Sequence, residues 1–152
     1  MKPLDAKELQ KRFLTPARQK ALAAIVGDRR SCVCGVAGSS AALLLSVMPH
    51  GKAPLLVIAD SQDDAGYLFH DLCRLFGEDT VAMLPSGYKR DIKYGQADPP
   101  SQILRTETLR RISGEKSLQA VVTYPEALAE RVADRDTLSN HTMRIVQGKD
   151  YD

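Results

Sequence analysis

The chain has 152 residues, 43% of them hydrophobic and 26% charged, with a formal net charge of +2. That length fits one domain with a core of its own, and the composition excludes disordered and fibrous classes. Near-neutrality argues against a whole-domain electrostatic hold on nucleic acid and leaves room only for a local basic stripe. The first residues, "MKPLDAKELQKRF", hold no apolar signal region, and no apolar run reaches the roughly 18 residues that span a bilayer. A cytoplasmic location without membrane contact is expected.

In chain order, Thr15-Pro16 predicts a helix N-cap followed by proline at the first helical position, opening "ARQKALAAIVG", which stops at Gly27. "SCVCGV" (31–36) reads as a short buried strand whose alternation places Cys32 and Cys34 on one face. The chain has three cysteines, with no second close pair and no histidine nearby. They are therefore expected as small buried hydrophobes in a reducing cytosol, not as metal ligands. A helix over 40–48 is apolar on every side and must be covered by other elements. "PLLVIAD" (54–60) is a second strand.

The clearest helix follows, with Ala65, Leu68, Phe69, Leu72, Cys73 and Phe76 at helical spacing, Ser61 capping it and Gly77 ending it. "TVAML" (80–84) is a third strand, 85–100 is irregular, and a helix runs from about 101 to 113. "LQAVVTY" (118–124) is a fourth strand, "PEALAERVAD" a helix opened by proline, and "TMRIVQG" (142–148) a fifth strand. Strands alternating with helices, each strand apolar on both faces, predict an α/β fold with a mostly parallel sheet covered on both sides. His50, His70 and His141 have no sequence partners and read as solvated or packing residues.

Within that pattern, "CVCGVAGSSAALLL" has the order of a phosphate-binding loop: strand, glycine turn, helix. The G-x-x-x-x-G-K-[ST] pattern, counted from Gly35, asks for glycine, lysine and a hydroxyl where Ser40, Ala41 and Ala42 stand. Gly35, Gly38, Ser39 and Ser40 retain the small residues that let backbone approach an anion. Ala41 cannot stabilise a transferred phosphoryl group and Ala42 cannot ligate Mg²⁺. An ordinary glycine turn and a degraded anion-binding loop both fit. Asp60, which ends the next strand, has no Mg²⁺ to help hold and reads as a strand-end residue. No catalytic centre, cofactor site or metal site is expected.

The second candidate is "GYKRDIKYG" within 85–100. Lys89, Arg90 and Lys93 suit phosphates, and Tyr88 and Tyr94 suit stacking on bases. A solvated basic loop fits equally well. Arg105, Arg110 and Arg111 on the next helix extend the basic character, though such a face is commonly just solvated.

Taken in order, "GVAGSSAALLL", "PLLVIADSQDDAGYLFHDL", "LPSGYKRDIKYGQAD", "ILRTETLRRI" and "AVVTYPEALAERV" resemble the N-terminal module of the bacterial transcription-repair coupling factors. That module is itself similar to the first domain of the excision-repair protein UvrB. The resemblance covers nearly the whole chain from about residue 14. It implies a RecA-like, helicase-like sheet that has lost the phosphate-binding lysine and hydroxyl, as Ala41 and Ala42 have it. It also implies a place in transcription-coupled nucleotide excision repair, with UvrA, RNA polymerase and DNA as partners of the full-length protein, whose ATP-driven translocase is a separate C-terminal motor. UvrB clamps DNA with a tyrosine-rich hairpin. Only 85–100 stands in its place here, which argues against an inherited clamp. On the resemblance, 1–140 form the UvrB-like module and 141–152 begin the UvrA-docking subdomain, so the chain is a non-hydrolysing fragment that binds its partners weakly by itself. The competing reading is an independent small α/β enzyme or nucleotide binder using Gly35 to Ser40 as a phosphate loop.

Overall fold

A computed structural model describes residues 5–27, 30–49, 51, 53–88, 96–114, 118–132, 134, 137 and 148. Helices α1 (Ala6–Phe13), α2 (Pro16–Gly27) and α3 (Ser40–Val47) precede strand β1 (Leu55–Ile58) and helix α4 (Gln62–Phe76). A 3₁₀ turn (Glu78–Thr80) leads into β2 (Val81–Met83), followed by α5 (Pro99–Ser113), β3 (Ala120–Thr123) and α6 (Pro125–Ala129). The chain is α/β. Among the described residues its sheet has three parallel strands in the order β1-β3-β2, with β3 at the centre.

The apolar strands expected near 54–60, 80–84 and 118–124 are these three. The strand expected over 31–36 is absent: the segment is irregular and every residue from Ser31 to Ser40 is exposed. A short alternating run becomes a strand only when a neighbour supplies its ladder, and among the described residues none does. The expected strand at 142–148 falls almost wholly outside the described residues, as do His50 and His141.

Register divides the core in two. Leu55, Val57, Val81, Met83, Ala120 and Val122 share the sheet face that packs on Ala65, Leu72 and Cys73 of α4 and Ala42 of α3. The opposite face brings Ala82, Leu84 and Val121 against Leu109 of α5 and Leu118. Covering is incomplete there, because Leu56 and Ile58 on that face of β1 stay exposed. The expectation of a sheet covered throughout on both sides is corrected accordingly. Nor is α3 enclosed as its composition suggested. Only Ala42 is fully buried, and Leu43 to Val47 are half-buried.

Local chemistry sets the helix ends. Ser61 Oγ accepts the Asp64 N–H at 3.1 Å and donates to the Asp64 carboxylate at 2.6 Å, while Gly77 ends α4 at φ +104°. Helix α6 is shorter than its sequence suggests, ending at Ala129. Glu130 leaves it in extended geometry, φ −77° and ψ 142°, and turns toward the loop after β2.

Candidate functional site

Three parts of the fold bear on function: the glycine turn before α3, the cleft beside it, and the loop after β2. The turn is built on Gly35 and Gly38, whose φ values of +77° and +53° are open to glycine at little cost. It closes on itself. The Ala37 N–H donates to Ser40 Oγ at 2.9 Å, the Ser40 hydroxyl donates to the Ala37 carbonyl at 2.5 Å, and the Ser40 N–H donates to that same carbonyl at 3.2 Å. The Ala37 and Ser40 amides, which an anion in such a loop would use, thus have partners within the turn. Ser39 stands at the N-cap without a side-chain cap bond. Ala41 is half-buried, and Ala42 is wholly buried among Val57, Ala65 and Leu72. Position 42 therefore serves the core. A hydroxyl there would have to be buried instead of facing a metal.

Gly38 and Ser39 border an open cleft of about 590 Å³, completed by Ile58, Asp60, Asp64, Tyr67, His70 and Asp71. It lies beside the carboxyl end of β1, the usual place for ligands in an open α/β sheet. Among the described residues its acidic and basic lining is three aspartates, with no lysine or arginine. Carboxylates repel a bare phosphate, so without a bridging cation the cleft does not fit a polyphosphate. Asp60 is exposed at the strand end, as its position suggested, and His70 is exposed on α4.

The loop after β2 is held by a polar hub. Arg105 is only 7% exposed and donates through Nη1 to the carbonyls of Pro85 (2.8 Å) and Ala127 (3.0 Å). Its Nη2 reaches the Glu130 carbonyl at 3.4 Å, and its Nε stands 3.5 Å from Glu130 Oε2. Glu130 accepts the Gly87 N–H at 3.1 and 3.0 Å and the Ser86 hydroxyl, while Tyr124 Oη accepts the Ser86 N–H at 2.8 Å. Beyond this hub, Tyr88 pairs with Ala97 in an antiparallel bridge, and the Asp98 N–H donates to the Gly87 carbonyl at 2.9 Å. The excursion is thus pinned at its base. Tyr88 is exposed there. Lys89, Arg90, Lys93 and Tyr94 lie outside the described residues.

The arginines of α5 have other work than the sequence suggested. Arg105 was a candidate contact for nucleic acid or a partner, and its burial corrects that expectation. Arg111 donates to the carbonyls of Val81 (3.1 Å) and Asp79 (2.6 Å), and Thr108 donates to that of Met83 at 2.6 Å. With Arg105 on Pro85, one helix face bonds the carbonyls of Val81 and Met83 in β2 and those of Asp79 and Pro85 on either side of it. Among the described residues β2 is an edge strand, and these bonds cap its outer carbonyls against stray pairing. Arg110 is exposed and bound by Glu107 through two bonds of 2.8 and 2.7 Å.

Cys32 and Cys34 also depart from expectation. Both are exposed in irregular backbone, with their sulfurs 3.8 Å apart, whereas Cys73 is the buried thiol. Burial pushes the Cys73 pKa up, Glu78 adds to the rise and Arg111 opposes it. Among the described residues no helix is long and apolar enough to cross a membrane, and no group of three or more His, Cys, Asp or Glu is placed to hold a metal. Compared with known proteins, the chain matches no family model, no curated protein and no solved structure.

Proposed function

We propose that the chain is a non-hydrolysing α/β scaffold of the transcription-repair coupling factor kind, acting in transcription-coupled nucleotide excision repair. In this proposal its sheet is the core of a degenerate RecA-like module. Its work is to position the region that docks UvrA, while ATP-driven displacement of RNA polymerase belongs to a separate motor. The observation that carries it is the fate of the phosphate loop. Ala42 of α3 is built into the core and Ser40 bonds back to Ala37, so the residues that would hold phosphate and Mg²⁺ in a nucleotide-binding relative serve packing and closure of the turn here.

On this proposal the UvrA contacts lie mainly in the subdomain starting near residue 141. A pull-down with immobilised UvrA, comparing this chain with one extended through the following subdomain of a coupling factor, tests the role. The expected result is retention of the extended chain and little retention of this one. Equal retention of both would place the docking surface within the present residues, and retention of neither would remove the repair role.

A further inference from the structure

We propose that Cys32 and Cys34 form an exposed dithiol site that closes to an intramolecular disulfide by exchange with a low-molecular-weight disulfide. Both thiols are exposed and their sulfurs lie 3.8 Å apart, in van der Waals contact, with one residue between them. A regular strand would hold them apart. At about 3.3 Å per residue, Cα atoms two positions apart stand about 6.6 Å from each other with parallel Cβ bonds, whereas a disulfide needs Cβ atoms about 3.8 Å apart. Freed from any ladder, the segment 31–36 can bend to bring them together, and Gly35 at φ +77° adds a turn directly after the pair.

The exchange balances in two steps. One cysteine thiolate attacks a sulfur of the small disulfide, forming a mixed disulfide and releasing one small thiolate, which takes up the proton lost by the cysteine. The second cysteine thiolate then attacks the protein-bound sulfur, forming the Cys32–Cys34 bond and releasing the second small thiol. The protein pair is oxidised by two electrons and the small disulfide is reduced by two. The third thiol takes no part, because Cys73 is buried against the sheet and its raised pKa keeps it protonated. Closure tethers the backbone immediately ahead of the Gly35 to Ser40 turn, so the site lies where a covalent bond would stiffen the entry to α3.

Glutathione disulfide is the probe. The chain and its Cys32→Ser and Cys34→Ser variants, whose changes fall in exposed irregular backbone, are incubated with it, quenched with a maleimide and read by intact mass and peptide mapping. The expected parent product has lost two hydrogens, has no maleimide at 32 or 34 and carries no glutathione, while each variant keeps one glutathione on its remaining cysteine. The parent's mixed disulfide should decay at least about tenfold faster than either variant's, as expected for attack by a neighbouring group. A parent that accumulates a lasting glutathione adduct, or keeps both thiols free for maleimide, overturns the proposal.

Discussion

Replacing Arg105 by methionine should destabilise the domain and leave nucleic-acid binding alone. Methionine keeps the apolar stem of the side chain but removes donors from the Pro85, Ala127 and Glu130 carbonyls, and the cation from the Glu130 carboxylate. Breaking one side of a buried ion pair costs about 3–5 kcal/mol, because the remaining charge stays where water reaches it poorly. Glu130 keeps its bonds to Gly87 and Ser86, and its side chain is 16% exposed. We therefore place the loss at the lower end, about 3–4 kcal/mol. For a domain of this size that corresponds to a fall in Tm of roughly 6–16 °C. Urea denaturation followed by circular dichroism measures it as a lower midpoint at unchanged slope. Glu130→Gln, which keeps an acceptor for Gly87, should cost less, and the double variant should cost less than the sum because the two side chains share one network. A loss below about 1 kcal/mol, as exposed ion pairs give, would refute the assignment of Arg105 as the hub that holds the 85–98 excursion.

Two other outcomes follow from the same structure. Burial raises the Cys73 thiol above its usual value of 9.0, so as pH climbs the unfolded chain ionises first. The associated stability is complete below that value and is lost as pH rises through the higher folded one. Urea midpoints taken at about pH 8 and about pH 10 should therefore fall more steeply for the parent than for Cys73→Ala, and parallel falls would contradict the burial argument. With the α5 arginines occupied, any DNA binding by the chain should come from Lys89, Arg90 and Lys93, giving a log–log salt slope near −3 on an estimate of about −0.9 per phosphate. Anisotropy titrations should show that slope vanish in the triple alanine variant, whereas salt-resistant binding lost on Tyr88→Ala would assign the grip to stacking.

Local signals carried the parts of the fold whose causes are local. Ser61 with Asp64 three residues on, Gly77 at the far end and the apolar spacing between them announced α4, because capping and amphipathicity act within one segment. The apolar runs around 55–58, 81–83 and 120–123 were legible as strands, although Leu56 and Ile58 of the first stay exposed. The segment 31–36 has a similar run but no partner, and pairing is a property of the neighbour. Helix α1 was missed because half of its eight residues, AKELQKRF, are charged and none of its side chains is fully buried. Arg105 was misread because charge normally means solvent. Its burial depends on carbonyls 20 and 22 residues away, at Pro85 and Ala127, which no spacing in α5 discloses. The sequence did offer one signal: Arg105, Thr108 and Arg111 recur every third residue on a single helical face, where a core-facing helix usually places apolar groups.

Calorimetric titration of the chain with Mg·ATP tests the non-hydrolysing scaffold most directly. With Ala42 in the core and Ala41 in the lysine position, no heat of binding should appear at nucleotide concentrations up to the millimolar range, and no phosphate should be released. A dissociation constant tighter than about 10 μM, roughly −7 kcal/mol, or measurable turnover abolished by changing the 35–40 turn, would contradict it and restore the turn as a working nucleotide site.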